Sequence, residues 1–296
     1  MPRFNSALLL YNGNAGKGDN EQKLRETVPL LSREIKELTI LQTASIEEVI
    51  ESCRTYAAKI DLLIILGGDG TIHNCINAIA SEPIRPTIAI LPGGTSNDFS
   101  RMLQLPQNLS NAAEAIVNGS IIDVDLAKSN ATYFLNFWGI GMVADTSKNI
   151  NEQQKKTLGV LSYFMSTLKT VSQSEPFSYK IETNEETYEG EAVMILLLNG
   201  AFIGTRQIPI SSIEPADGQL DVLIVKNSSL LSFRELLSMS NTDVGNDALE
   251  ELTHFQSNNL KITTEIAKEI DMDGEIHTNT PAEIRILPKH IKMIKA

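Results

Sequence analysis

The sequence predicts an α/β domain built on a parallel sheet with flanking helices, followed by a β-rich, mostly antiparallel second domain. Three observations predict it. Glycine-bearing segments directly follow apolar runs at Gly13–Gly18, Gly67–Thr71 and Pro92–Phe99. Up to about residue 120, short apolar runs alternate with helical periods, the pattern of parallel strands joined by crossover helices. After Val124 the rhythm changes to period-two runs separated by polar turns.

Taken in order, strands are expected at Ala7–Tyr11, Leu38–Leu41, Leu62–Leu66 and Thr87–Leu91. Ser45 and Glu48 form a capping box that opens a helix to about Lys59, and Ser110 and Gly119 bracket a second helix over Asn111–Asn118. The second domain is expected to hold strands at Tyr133–Phe137, Phe177–Thr183, Glu191–Leu198, Leu220–Val225, Leu260–Thr264 and Lys268–Met272. Its helices are expected only around Thr157–Val171 and Ser232–Met239. A last strand-like run, Ala282–Leu287, would return to the first domain, giving domains of 1–124 plus 282–296 and of 125–281.

Composition narrows the function. A chain of 296 residues with 42% hydrophobic and 21% charged residues is that of a folded protein with a large core. A net charge of −12 argues against a nucleic-acid binder, which needs basic patches to neutralise phosphates. Cys53 and Cys75 have no metal-type or CxxC spacing, so neither a zinc site nor a disulfide scaffold is expected, and a reducing cytoplasm fits. The apolar run near the start is too short for a signal peptide, and Ala192–Leu198 is strand-sized, so no transmembrane anchor is expected.

Loops at the carboxyl ends of neighbouring parallel strands present backbone N–H groups to a ligand, and the three glycine segments read as one phosphate-binding surface. In Gly67-Gly68-Asp69-Gly70-Thr71 the glycines let backbone amides approach a polyphosphate, while a helix from about Ile72 points its positive end at the anion. Asp69 would repel phosphate unless a divalent cation lay between, which implies magnesium, through water. Read blandly, the segment is a tight turn with an exposed Asp. Pro92–Phe99 repeats the plan, with Thr95 or Ser96 as hydroxyl donors and Asn97 or Asp98 as helix cap; its bland reading is a capped helix after a turn. Gly16-Lys17-Gly18 lacks the spacing of a P-loop, so Lys17 is either a point charge on phosphate or a solvated turn lysine.

In this order the segments Asn12–Gly18, Gly67–Ile72, Pro92–Phe99, Asp125–Asn130, Phe134–Asn136 with Gly139–Gly141, Asp217–Asp221 and Asp273–Glu275 resemble the bacterial diacylglycerol kinases and related lipid kinases over nearly the whole chain. The Gly-Gly-Asp-Gly element alone is shared with NAD kinases and phosphofructokinases. The resemblance implies a catalytic N-terminal domain and a β-rich C-terminal domain, with ATP and a lipid hydroxyl meeting in the cleft between them. It implies that Gly67, Gly68, Gly70, Thr71 and Thr95 hold ATP, with Thr43 near the nucleotide, and that Asp69, Asp98 and Asp125 organise Mg2+ and water. Glu275 matches the family's proton acceptor, and Asp217, with backbone carbonyls near Glu214 and Gln219, matches a structural Mg2+ site. On residue chemistry alone, Glu275 reads rather as a β-hairpin turn glutamate than as a base, and Asp217 equally as an ordinary turn aspartate.

Two positions depart from the pattern: His73-Asn74 where the family has Asn and then Glu, and Val143 where an Asp is common. His73, His254, His277 and His290 have no ligand spacing and are expected as surface or cap histidines. Trp138 is expected in the core. Lys148, Lys155 and Lys156 before the apolar stretch Leu158–Leu168 read as a solvated basic turn or as a contact for anionic headgroups. The expected activity is ATP-dependent phosphorylation of a diacylglycerol-like lipid by a cytoplasmic protein visiting the inner membrane surface. The rivals are an NAD-kinase-like enzyme with a soluble acceptor and a catalytically silent nucleotide-binding regulator. The partner is then a lipid presented at the membrane, with no nucleic acid, and a homodimer is compatible with the sequence.

Overall fold

The structure, a computed structural model, describes residues 2–13, 20–144, 175–240 and 249–296. Lys17, Lys148, Lys155, Lys156 and the expected helix over Thr157–Val171 lie outside the described residues. The chain divides into two compact units, one of Met1–Val124 with Lys289–Ala296, the other of Asp125–Pro288.

In the first unit, strands β1 (Phe4–Asn12), β2 (Ile35–Thr43), β3 (Leu62–Gly67) and β4 (Thr87–Pro92) pair in parallel in the order β2-β1-β3-β4. Helices α1 (Asn20–Leu31), α2 (Ile46–Tyr56), α3 (Asp69–Ile79), α4 (Asp98–Met102) and α5 (Leu109–Asn118) occupy the connections. Central strands covered on both faces are apolar throughout, and Leu62–Leu66 and Ile88–Leu91 are buried without a break. Register then fixes where the loops emerge: Tyr11 pairs with Leu66, and Gly67 with Pro92, so the carboxyl ends of three strands lie level.

The local chemistry differs in detail from the sequence reading. Ser45 Oγ accepts the Glu48 N–H at 3.3 Å as expected, but Glu48 reaches back to the N–H of Ala44, not of Ser45. α5 is capped by Asn108, whose Oδ1 accepts the Asn111 N–H at 3.1 Å; Ser110 lies inside the helix. Gly119 does end α5, and a Cβ there would sit 2.3 Å from Lys295 O. α3 starts at Asp69, three residues before the expected Ile72, because Gly68 supplies the cap position.

The remaining elements are β5 (Ser120–Ser129), β6 (Thr132–Phe134), β7 (Phe137–Gly141), β8 (Phe177–Thr183), β9 (Thr187–Ala192), β10 (Met194–Leu198), β11 (Phe202–Ile203), β12 (Arg206–Gln207), β13 (Leu220–Val225), α6 (Leu230–Ser238), β14 (Leu252–Ser257), β15 (Asn259–Thr264), β16 (Glu269–Met272), β17 (Glu275–Asn279) and β18 (Ala282–Lys295). The boundary between units falls within β5 and β18. In the second unit β6, β5, the start of β18, β15, β8 and β9 form one sheet, and β14-β13-β10-β7-β16-β17 form the other. Side chains of both sheets, including Phe134, Ile181, Leu260 and Ile284 from one and Ile140, Leu197, Val222 and Met272 from the other, make one core of a β-sandwich. Trp138 is buried there, and its indole N–H donates to Ser129 Oγ at 3.1 Å.

Two expected strands are each split. The run Tyr133–Phe137 divides into β6 and β7 because the N–H groups of Leu135, Asn136 and Phe137 all turn to the Asp273 carboxylate. Glu191–Leu198 divides at Val193, β9 pairing with β8 and β10 with β7 and β13.

Candidate functional site

Two of the three glycine loops are locked together in the first unit. Gly93 N–H donates to Gly67 O at 2.9 Å, continuing the β3–β4 pairing into the turn. Beyond it the backbones approach so closely that a Cβ on Gly94 would lie 2.4 Å from Gly68 Cα, and one on Gly68 would lie 2.9 Å from Gly94 Cα. Only residues without side chains fit this contact. Gly67 serves a second close contact, since a Cβ there would meet the Thr71 side chain at 2.7 Å.

Asp69 Oδ1 accepts the N–H of Asp98 at 2.8 Å, so the first residue of α3 holds the first residue of α4. Asn97 stands at the N-cap position of α4 as expected, but in the left-handed conformation at φ 52°, and its amide turns to the glycine loop rather than to the helix N–H groups. Its Oδ1 accepts Gly94 N–H at 2.9 Å and its Nδ2 donates to Gly94 O at 3.1 Å. Sequence reasoning missed this role; the signal was an Asn three residues after a Gly-Gly pair, which suits an Asx-type return to the backbone. Gly94 and Thr95 remain exposed on the rim, while Asn97 and Asp98 are buried. Thr43 is fully buried and its hydroxyl donates to Tyr11 O at 3.2 Å, while Gly13 N–H donates to Thr43 O at 2.8 Å.

The histidine expectation needs correction. His73 is buried at 2% exposure in the middle of α3, its Nε2 3.2 Å from Asn77 Nδ2, because this position of the helix faces the core. His254 is likewise mostly enclosed, and its Nε2 lies 2.8 Å from Asp221 Oδ1. His290 Nε2 sits 2.8 Å from Ala80 O, and burial pulls its pKa below the ordinary value.

The second unit carries the other acidic residues. Asp125 is fully buried, and its Oδ2 accepts Gly218 N–H at 2.6 Å. Asp217 Oδ1 accepts Gln219 N–H at 2.9 Å, and Gln256 Nε2 lies 3.3 Å from its Oδ2. Burial pushes the Asp217 carboxyl above its ordinary pKa, and the charges of Asp221 and Asp125 push it further. Asp221, quoted in the resemblance but given no role there, also accepts the Ser212 hydroxyl. Among the described residues no three His, Cys, Asp or Glu side chains group as a metal cage. The expected Mg2+ set at Asp217, Glu214 and Gln219 is of another kind, one carboxylate with backbone carbonyls.

Glu275 opens β17, exposed, after the left-handed pair Asp273 and Gly274 at φ 56° and 92°. The turn is fastened from both sides: Asp271 Oδ1 accepts Gly274 N–H at 2.8 Å, and the Asp273 carboxylate accepts the N–H groups of Leu135, Asn136 and Phe137 at 2.9, 2.8 and 3.1 Å. Asn199 continues the network, its Nδ2 donating to Asp125 O and Leu135 O at 3.1 and 2.7 Å.

Comparison with known proteins agrees with this architecture. Residues 6–129 match the diacylglycerol kinase catalytic domain, and residues 138–295 match the YegS C-terminal NAD kinase beta sandwich-like domain. A Staphylococcus aureus (strain Mu3) protein named "Putative lipid kinase" is 32% identical over 297 residues, covering 99% of this chain and 97% of its own. The chain belongs to the diacylglycerol kinase-related lipid kinase family. Among solved lipid kinase-family structures, one described as a "putative diacylglycerol kinase from Bacillus anthracis str. Sterne" superposes with a TM-score of 0.91 at 39% identity, covering 100% of this chain and 98% of that one. A second from the same organism, described in the same words, gives 0.87 at 37% identity, covering 100% and 99%. As in the sequence reading, the first unit is the parallel-sheet α/β domain and the second the mostly antiparallel sandwich of this lipid kinase family. Among the described residues no helix is long and apolar enough to cross a membrane.

Proposed function

We propose that this member of the lipid kinase family transfers the γ-phosphoryl group of ATP to a hydroxyl of a diacylglycerol-like lipid. The observation that carries the reading is the Gly68–Gly94 contact, a place where side chains are excluded beside the N-terminus of an 11-residue helix. The contact holds the second glycine loop against the start of that helix, whose first N–H groups offer positive backbone potential to phosphate oxygens. Gly67, Gly68, Gly70, Thr71 and Thr95 bind the nucleotide, with Thr43 nearby, and Lys17 serves as a point charge on phosphate.

The acidic residues fit a divalent ion by their chemistry. Asp69 at the start of α3 needs a counter-charge if phosphates occupy that helix end, and Asp217 is a carboxylate crowded by Asp221 and Asp125. Mg2+, when bound, neutralises charge on the phosphoryl oxygens. Asp69 and Asp98 orient that charge in the first unit; in the second, Asp125 orders water, and Asp217, with backbone oxygens near Glu214 and Gln219, holds a structural ion. Glu275 takes the proton of the lipid hydroxyl at its carboxylate, and the Asp273 clamp keeps its backbone fixed while it does so. The lipid is reached from the cytoplasm at the inner membrane surface.

Incubation with ATP, Mg2+ and dispersed diacylglycerol should yield the phosphorylated lipid. No product with diacylglycerol, monoacylglycerol, phosphatidylglycerol or a sphingoid base would refute the reading, and phosphorylated NAD in their place would move the chain to the soluble-acceptor rival.

A further inference from the structure

One hollow of the second unit borders the Asp217–Gln219 turn at Gly218, but its charged and amide side chains have no part in the roles above. It measures about 600 Å³ and is lined by Lys128 of β5 and Asn130 just after it, Glu283 and Arg285 of β18, Asn258 and Asn259 around the start of β15, and Gly218 and Pro288. Its size falls within the range of small-molecule sites. We propose that it is a binding site for a phosphate monoester or inorganic phosphate.

Three adjacent strands put the donors in a row. Asn130 N–H donates to Glu283 O at 2.9 Å, and two residues away Lys128 and Arg285 line the same hollow. Arg285 in turn pairs with Asn259 of β15. Neighbouring strands are about 4.8 Å apart, so an ammonium, a guanidinium and a primary amide stand side by side at a spacing one tetrahedral anion can bridge. The Lys128 ammonium is set by the Tyr133 ring, 4.9 Å from its centroid. Arg285 forms no ion pair among the described residues, leaving its fork free for two parallel bonds to phosphate oxygens.

Glu283 is the one anionic lining residue, and its Oε1 lies 3.9 Å from Lys261 Nζ, on the strand beyond. With that pair set against itself, Lys128 and Arg285 leave a local positive site on a chain of net charge −12. Such a focus attracts small anions selectively, because the surrounding surface repels them. The ligand has two sources: free phosphate compounds, or the phosphomonoester headgroup a lipid kinase produces, and only the second rests on the function proposed above.

The test uses the full 15N-labelled chain without ATP. Titration with inorganic phosphate and with glycerol 3-phosphate should move the amide resonances of Asn130, Asn259 and Arg285 saturably. Arg285→Ala or Lys128→Ala should weaken the effect at least tenfold, with Arg285→Lys intermediate. Cosedimentation with phosphatidylcholine vesicles containing phosphatidate identifies the source: vesicle binding lost in Arg285→Ala means a headgroup, and binding of the soluble compounds alone means free phosphate. If those amides do not move with either compound, or move equally in both alanine variants, the site is refuted. Lipid kinase activity does not enter the readout, so its absence would leave this result standing.

Discussion

The Asp69 carboxylate accepts the backbone N–H of Asp98 at 2.8 Å, joining the start of one helix to the start of the next. A single side chain is therefore both a structural tie between two loops and a candidate for the metal chemistry. The two roles separate by substitution. Asp69→Asn keeps an oxygen acceptor and removes the charge, so its stability should stay within about 1 kcal/mol of the parent while turnover falls on the order of a hundredfold. Asp69→Ala loses both and should cost about 1–2 kcal/mol as well. Urea melts beside a kinase assay distinguish these; an Asn variant with near-normal turnover would remove Asp69 from the chemistry.

Gly94→Ala should be more damaging than its exposed position suggests. The added methyl meets backbone, Gly68 Cα at 2.4 Å, and backbone cannot swing aside as a side-chain tip can. The loops must part, and overpacking of this kind costs about 1–3 kcal/mol. ATP affinity measured by calorimetry should fall with it, and an alanine variant that binds ATP normally would mean that the contact does not shape the nucleotide site.

How far the sequence carried these conclusions depends on what each feature needs. Parallel strands buried on both faces are written as apolar runs, so Leu62–Leu66 and Thr87–Leu91 were legible within one residue. The glycine loops were legible because close approach admits one residue type. What was not legible depends on partners distant in sequence. Nothing near Tyr133–Phe137 announces that its strand breaks, because the acceptor is Asp273, well over a hundred residues away. The burial of His73 turns on which face of α3 meets the sheet, and Asn97 reads as a cap until its left-handed backbone sends the amide to Gly94.

Asp273 yields a prediction about Glu275. Its three accepted N–H bonds fix the turn that Glu275 follows, so Asp273→Ala should cost on the order of 2–3 kcal/mol, tempered by water reaching the freed amides. As a positioning residue it should lower kcat more than it raises KM, whereas a purely structural role would leave kcat of the folded fraction unchanged. Glu275→Gln should keep full stability, since that side chain is exposed, and lose turnover.

Asp217 carries a prediction about pH. Burial first, then Asp221 and Asp125, raise its pKa above the ordinary 3.8, so the folded chain binds this proton more tightly than the unfolded chain does. By linkage, the contribution of Asp217 to stability is favourable below 3.8 and is lost as pH rises through the higher folded value. Above that value the group is charged at a cost, which a bound cation would offset. Carboxyl-carbon NMR should show Asp217 titrating above its ordinary value, with Asp221→Asn lowering the midpoint and Mg2+ lowering it further. At a tenfold excess of Mg2+ over its dissociation constant the folded state should gain about 1.4 kcal/mol, seen as a higher melting temperature that Asp217→Asn abolishes. Equal stabilisation of both chains by Mg2+ would place the ion elsewhere.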